Sequence, residues 1–121
     1  MATILIVDDE YLIADILSFA LEDEGYMAVT AGNGKRALEI LERERPALVI
    51  TDFMMPGMNG LELAQAIRKS NAFAHLPIIL MSGAQGNVGR ATPEMFDTVY
   101  DKPFDIQQVV DRIKTLVPLE V

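Results

Sequence analysis

The stretch ILIVDDE, residues 4–10, runs four apolar residues straight into two aspartates and a glutamate. With Thr3 before it, the apolar part is short and rich in β-branched residues, which predicts a strand over 3–7. A buried strand ending on Asp8 and Asp9 sets like charges together where water is scarce. Both effects oppose ionisation. Something elsewhere in the chain must make these carboxylates tolerable.

From Glu10 onward the period becomes helical: Ile13, Ile16, Leu17, Ala20 and Leu21 share a face, and Gly25 stands where a helix ends. MAVTA (27–31) predicts a second strand. Asn33 and Gly34 open a helix with Ala37, Leu38 and Leu41 on its apolar face, and Pro46 ends it. ALVIT (47–51) predicts a third buried strand that ends in Asp52. A loop, FMMPGMNG, follows, dense in turn residues. LELAQAIRKS (61–70) reads as helix, with Leu63, Ala64 and Ile67 facing in. PIILM (77–81) is a fourth strand ending in Ser82. Segment 83–96 holds three glycines and a proline, so any helix there is short or irregular. TVY (98–100) is a small fifth strand before Lys102 and Pro103. Asp105, with Gln108 three residues on, caps a last helix with Ile106, Val109, Val110, Ile113 and Leu116 on its buried face.

Strand and helix alternate five times. Fully apolar strands between amphipathic helices imply an α/β fold with a parallel sheet covered on both faces. Right-handed crossovers leave a few doubly wound topologies. The 121 residues fit one domain over 1–121, and half of them are hydrophobic, enough for a core. There is no cysteine, so neither disulfides nor thiolate metal sites hold the fold. The net charge of −8 argues against direct nucleic-acid binding. The basic pairs Lys35-Arg36 and Arg68-Lys69 read as solvated helix faces, and His75 as a surface residue. The N-terminus lacks the features of a signal peptide, and no apolar run approaches a membrane span. A cytoplasmic protein without membrane insertion is expected.

In doubly wound sheets, ligands bind at the carboxyl ends of the strands. Here those ends carry Asp8, Asp9, Asp52, Ser82 and, just past the fifth strand, Lys102. Alone, each has an ordinary reading as a turn residue, a helix cap or a surface lysine. Together they place three carboxylates, a hydroxyl and an ammonium at one edge. A divalent cation among the acids answers the opening question. Oxygen-only donors suit Mg²⁺, with Mn²⁺ as an alternative. A carboxylate beside such an ion can act as a nucleophile toward phosphorus, and Lys102 and Ser82 can meet phosphate oxygens. The Met54, Met55 and Met58 cluster reads as loop packing. The glycines at 83, 86 and 89 do not have the spacing or place of a dinucleotide fingerprint.

On ILIVDDE, LVITDFMMPGMNG, IILMSGA and the Lys-Pro-Phe of YDKPF, the chain resembles the receiver domain of two-component response regulators over essentially its whole length. The resemblance implies a flavodoxin-like five-stranded sheet of order 2-1-3-4-5, with helices on both faces. It implies that Asp52 is the phosphoacceptor and that Asp8 and Asp9 hold Mg²⁺, Asp9 directly and Asp8 through water. It further implies that Met54 offers its backbone carbonyl, that Ser82 and Lys102 meet the phosphoryl group, and that the bond before Pro103 is cis. The implied partners are a histidine kinase or histidine phosphotransfer protein and a downstream protein target. The implied role is a stand-alone binding module switched by phosphorylation, not an enzyme beyond its own phosphorylation and slow dephosphorylation.

The chain departs from the family pattern in three places. Val99 stands where an aromatic is usual, with Tyr100 one position later on the other face of its strand. The 83–96 segment replaces a regular fourth helix, so that surface is expected to be mobile or differently shaped. Met54 and Ala84 are apolar where fast self-dephosphorylating relatives carry polar groups, so a long-lived phosphoryl group is expected. Two other readings compete. A degenerate receiver would bind partners without phosphorylation. A phosphohydrolase of the haloacid dehalogenase type would need an aspartate where this chain has Met54.

Overall fold

Each apolar run forms a strand, and each helical-period segment packs across the sheet. The computed structural model describes residues 2–83 and 86–119. The strands are β1 (Thr3–Val7), β2 (Met27–Ala31), β3 (Leu48–Asp52), β4 (Ile78–Ser82) and β5 (Thr98–Asp101). They pair in parallel in the order β2-β1-β3-β4-β5, as expected. β3 and β4 are buried along their full length, whereas the edge strands β2 and β5 are partly exposed.

The connections are α1 (Tyr11–Asp23), α2 (Gly34–Glu44), α3 (Gly60–Lys69), α4 (Gly86–Arg90) and α5 (Ile106–Leu116). Successive strand side chains point to opposite faces, so one sheet feeds two cores. Ile4, Ile6, Leu48, Ile50, Ile79 and Met81 pack with α1 and α5. Leu5, Val7, Val49, Ile78 and Leu80 pack with α2 and α3. The winding reverses between β1 and β3, which opens a crevice at their carboxyl ends. Asp8 and Asp52 stand there.

Local chemistry sets the helix ends. Gly25, at φ +102, terminates α1 in a conformation that favours glycine. Asn33 caps α2 by accepting from Arg36 N at 2.8 Å, and Arg45, at φ 46, ends it before Pro46. Asn59 and Glu62 form a capping box at α3. At α5 the expected box with Gln108 is replaced by a shorter bond: Asp105 accepts from Gln107 N at 2.8 Å.

Two further expectations are revised. Ile16 is 52 % exposed, and Ala14 takes its place beside Leu17 and Leu21 in the core. Arg68 is no solvated surface residue: its guanidinium bonds the carbonyls of Ala74 (3.2 Å), Leu76 (2.5 Å) and Met95 (2.9 Å) and lies 3.7 Å from Asp97. A 3-10 turn at Asn71–Phe73 precedes β4. Among the described residues of 83–96 the helix is short, as expected: α4 is five residues long. His75 is exposed. No helix among the described residues is long and apolar enough to cross a membrane.

Candidate functional site

Asp52 closes β3 and is buried. Its Oδ1 accepts from Phe53 N at 2.9 Å and lies 3.1 Å from Lys102 Nζ. Behind it, Thr51 Oγ1 donates to the Asp52 carbonyl at 2.9 Å. The start of α3 abuts the same backbone: Gly60 N donates to Phe53 O at 2.8 Å. A Cβ at Gly60 would lie 2.6 Å from the Asp52 carbonyl oxygen and 3.0 Å from Phe53 Cα. Only glycine lets the helix begin this close.

Asp8 follows β1 and extends its ladder, donating from its backbone N to Ala31 O at 3.0 Å. Its Oδ1 accepts from Glu10 N at 2.9 Å. This turn brings the Glu10 carboxylate back over the crevice, 3.6 Å from Lys102 Nζ. Lys102 is anchored by its own backbone, whose N–H donates to Ser82 O at 2.6 Å. Ser82 is buried at the end of β4, and the Lys102–Pro103 bond is cis, as expected.

Asp8, Glu10 and Asp52 each present a carboxylate oxygen within 4.8 Å of the other two. Asp9, expected as the direct metal ligand, is exposed and stands outside this triplet, while Glu10 stands inside it. Glu10 follows directly on the two aspartates, but the sequence carries no sign that the Asp8–Glu10 hydrogen bond would turn it inward. The residues present fit a hard divalent cation. All donors are oxygen, three carboxylates outweigh the single ammonium of Lys102, and Asp8 Oδ2 is buried with no hydrogen-bond partner among the described residues.

The electrostatics point the same way. Burial, supported by the charges of Asp52 and Glu10, raises the Asp8 carboxyl from 3.8 to about 6, against the opposing Glu10 amide bond and Lys102. Burial also raises Asp52, aided by Asp9 and resisted by the hydrogen bond and charge of Lys102. At Lys102, burial favours the neutral amine, but Asp52, then Asp8 and Glu10, outweigh it and hold the pKa up. The crevice is over-supplied with negative charge, and a cation would relieve it.

Val99 packs on the α2–α3 side of the sheet, while Tyr100 packs on the α5 side and donates from its hydroxyl to Gln108 O at 3.3 Å. Tyr100 therefore cannot substitute for an aromatic at 99. Ala84 lies outside the described residues. Asp101, one residue before Lys102, pairs with Arg90 of α4 at 2.9 Å.

Beside the crevice, α1 turns an apolar face outward: Leu12, Ile16 and Phe19 are 78 %, 52 % and 67 % exposed, next to Tyr11. A groove of about 460 Å³, lined by Ile13, Ile16, Pro103, Phe104 and Ile106, runs from this face to Lys102.

The profile of the response regulator receiver domain matches residues 4–114. The sporulation initiation phosphotransferase F of Bacillus subtilis is 35 % identical over 117 residues, covering 97 % of this chain and 94 % of that protein. The probable transcriptional regulatory protein TcrX of Mycobacterium tuberculosis is 36 % identical over 118 residues, covering 95 % of this chain. The chain spans about half of that protein's length (49 %). Among solved structures, the response regulator protein TrrA of Thermotoga maritima, in complex with Mg²⁺-BeF, superimposes with a TM-score of 0.84 at 35 % identity. That match covers 97 % of this chain and all of the other (100 %).

Proposed function

Because the chain belongs to the response regulator receiver domain family, we propose that Asp52 accepts a phosphoryl group from a phosphohistidine of a kinase or phosphotransfer protein. The observation that carries this reading is the Asp52 carboxylate, buried at a strand end with one oxygen held by Lys102 and by the Phe53 amide. With Oδ1 held, Oδ2 attacks phosphorus. The new P–O bond forms as the P–N bond to the donor histidine breaks, and the departing imidazole keeps the electron pair and is protonated from solvent. Asp8, Glu10, Asp52 and the Met54 backbone carbonyl would hold Mg²⁺, which supplies positive charge against the phosphoryl oxygens when bound. Lys102 neutralises oxygen charge from the opposite side, and the Ser82 hydroxyl donates to a phosphoryl oxygen.

The outer face of α1 and the adjoining groove supply the docking surface for the donor, since they put exposed apolar side chains within reach of the acceptor. Output runs through β5. Phosphorylation adds about −1.5 to −2 charge at Asp52, Lys102 and Ser82 shift to meet it, and Asp101 carries the shift to Arg90 of α4. Apolar Met54, 60 % exposed, offers attacking water no polar partner, so the phosphoryl group is long-lived.

The test is intact mass after incubation with Mg²⁺ and acetyl phosphate, beside Asp52→Asn. A phosphate-sized gain, absent from the variant and from samples with chelator, is expected. No gain would refute the reading and favour binding that is independent of phosphorylation.

A further inference from the structure

We propose that the β3–α3 loop is a site of reversible methionine oxidation, and that Met58 is the residue through which oxidation reaches Asp52. The inference rests on the reading of Asp52 as acceptor. The loop carries Met54, Met55 and Met58, and the chain has no cysteine to compete for an oxidant. Two of these sulfurs fasten the loop. Met58 is half-buried against the first residue of α2: a Cβ at Gly34 would lie 2.7 Å from its sulfur and 3.0 Å from its Cβ and Cγ. The side chain thus fills a seat that exists because Gly34 has no side chain. The Met55 sulfur lies 4.0 Å from the Thr51 hydroxyl, which also donates to the Asp52 carbonyl.

A hydroperoxide would transfer one oxygen atom to the Met58 sulfur. The thioether is oxidised to a sulfoxide and the peroxide is reduced to water or alcohol. The added oxygen is polar, and Met58 already touches Gly34 closely on one side. The seat no longer fits, and the loop lifts from α2. The same loop positions Met54 and leads into Gly60, which abuts the acceptor backbone. Phosphoacceptance therefore falls. A thiol-driven sulfoxide reductase would remove the oxygen and restore it.

The protein is treated with hydrogen peroxide, and sulfoxides are located by peptide mass spectrometry. The initial rate of labelling by acetyl phosphate with Mg²⁺ is then read beside amide exchange over residues 53–60. Wild type oxidised at Met58 is expected to lose most of its labelling rate and to exchange faster across the loop. Met58→Leu should keep both properties after the same treatment, and Met58→Gln should show the loss without oxidant. Equal sensitivity of wild type and Met58→Leu, or unchanged loop exchange in protein oxidised at Met58, would overturn the proposal. Failure of unoxidised protein to label would instead sink the reading of Asp52, while loop exchange still decides the oxidation site.

Discussion

Replacing Asp8 by asparagine should stabilise the metal-free protein at neutral pH and leave it nearly unchanged in acid. The folded state raises the Asp8 carboxyl from 3.8 to about 6. The folded protein therefore binds this proton more tightly than the unfolded chain does. Stability linked to the proton is fully present below pH 3.8 and is lost as pH rises through about 6. At about 1.36 kcal/mol per pH unit, the full cost above that range is about 3 kcal/mol. Asparagine keeps an oxygen to accept from Glu10 N and never ionises. In chelator at pH 7.5, Asp8→Asn should exceed wild type by about 3 kcal/mol, shrinking to about 0.5 kcal/mol at pH 4. Urea unfolding followed by far-ultraviolet circular dichroism at the two pH values measures both. With excess Mg²⁺ the gap should close, because only wild type keeps the full set of acids and so gains more binding free energy. A difference that stays the same at pH 4 and pH 7.5 would refute the argument.

Lys102→Met removes the group that holds Asp52 down against burial, so the Asp52 carboxyl should titrate at still higher pH; side-chain carboxyl NMR would show it, and an unmoved titration would count against the pairing. Gly60→Ala should cost about 1–3 kcal/mol, because its Cβ meets backbone that cannot give way. Thermal melting decides this. Arg68→Ala should cost about 3 kcal/mol, since three carbonyls lose a charged donor at once. Denaturant midpoints compared with Lys69→Ala, an exposed neighbour, provide the check.

The interior strands were legible because a doubly covered parallel strand needs apolar residues on both faces, and TILIV and PIILM have little else. The shortness of α4 was legible for a similar reason: glycines at that density cannot sustain a long helix. Arg68 was not, since its partners are backbone carbonyls, which leave no mark on the sequence of the residues that carry them. Ile16 misled because helical spacing finds an apolar stripe but not its width, and here the stripe extends past the core into the groove beside Lys102. Strand-end topology alone gathers Asp8, Asp52, Ser82 and Lys102 at one edge. Glu10 could not be read that way, because its direction depends on one hydrogen bond made by the side chain of Asp8.

Lys102 also bears on how the molecule is made. Lys102 follows Asp8 and Asp52 in chain order, so the ammonium that faces Asp52 at 3.1 Å is synthesised after both acids. Until then, pairing β1 with β3 sets two buried acids side by side with no lysine to offset them. Lys102 and α5 are close in sequence and are made together: α5 closes one core, and the lysine lowers the cost of the charge beneath it. A nascent chain that stops before β5 has both acids but lacks the lysine that offsets the burial of Asp52.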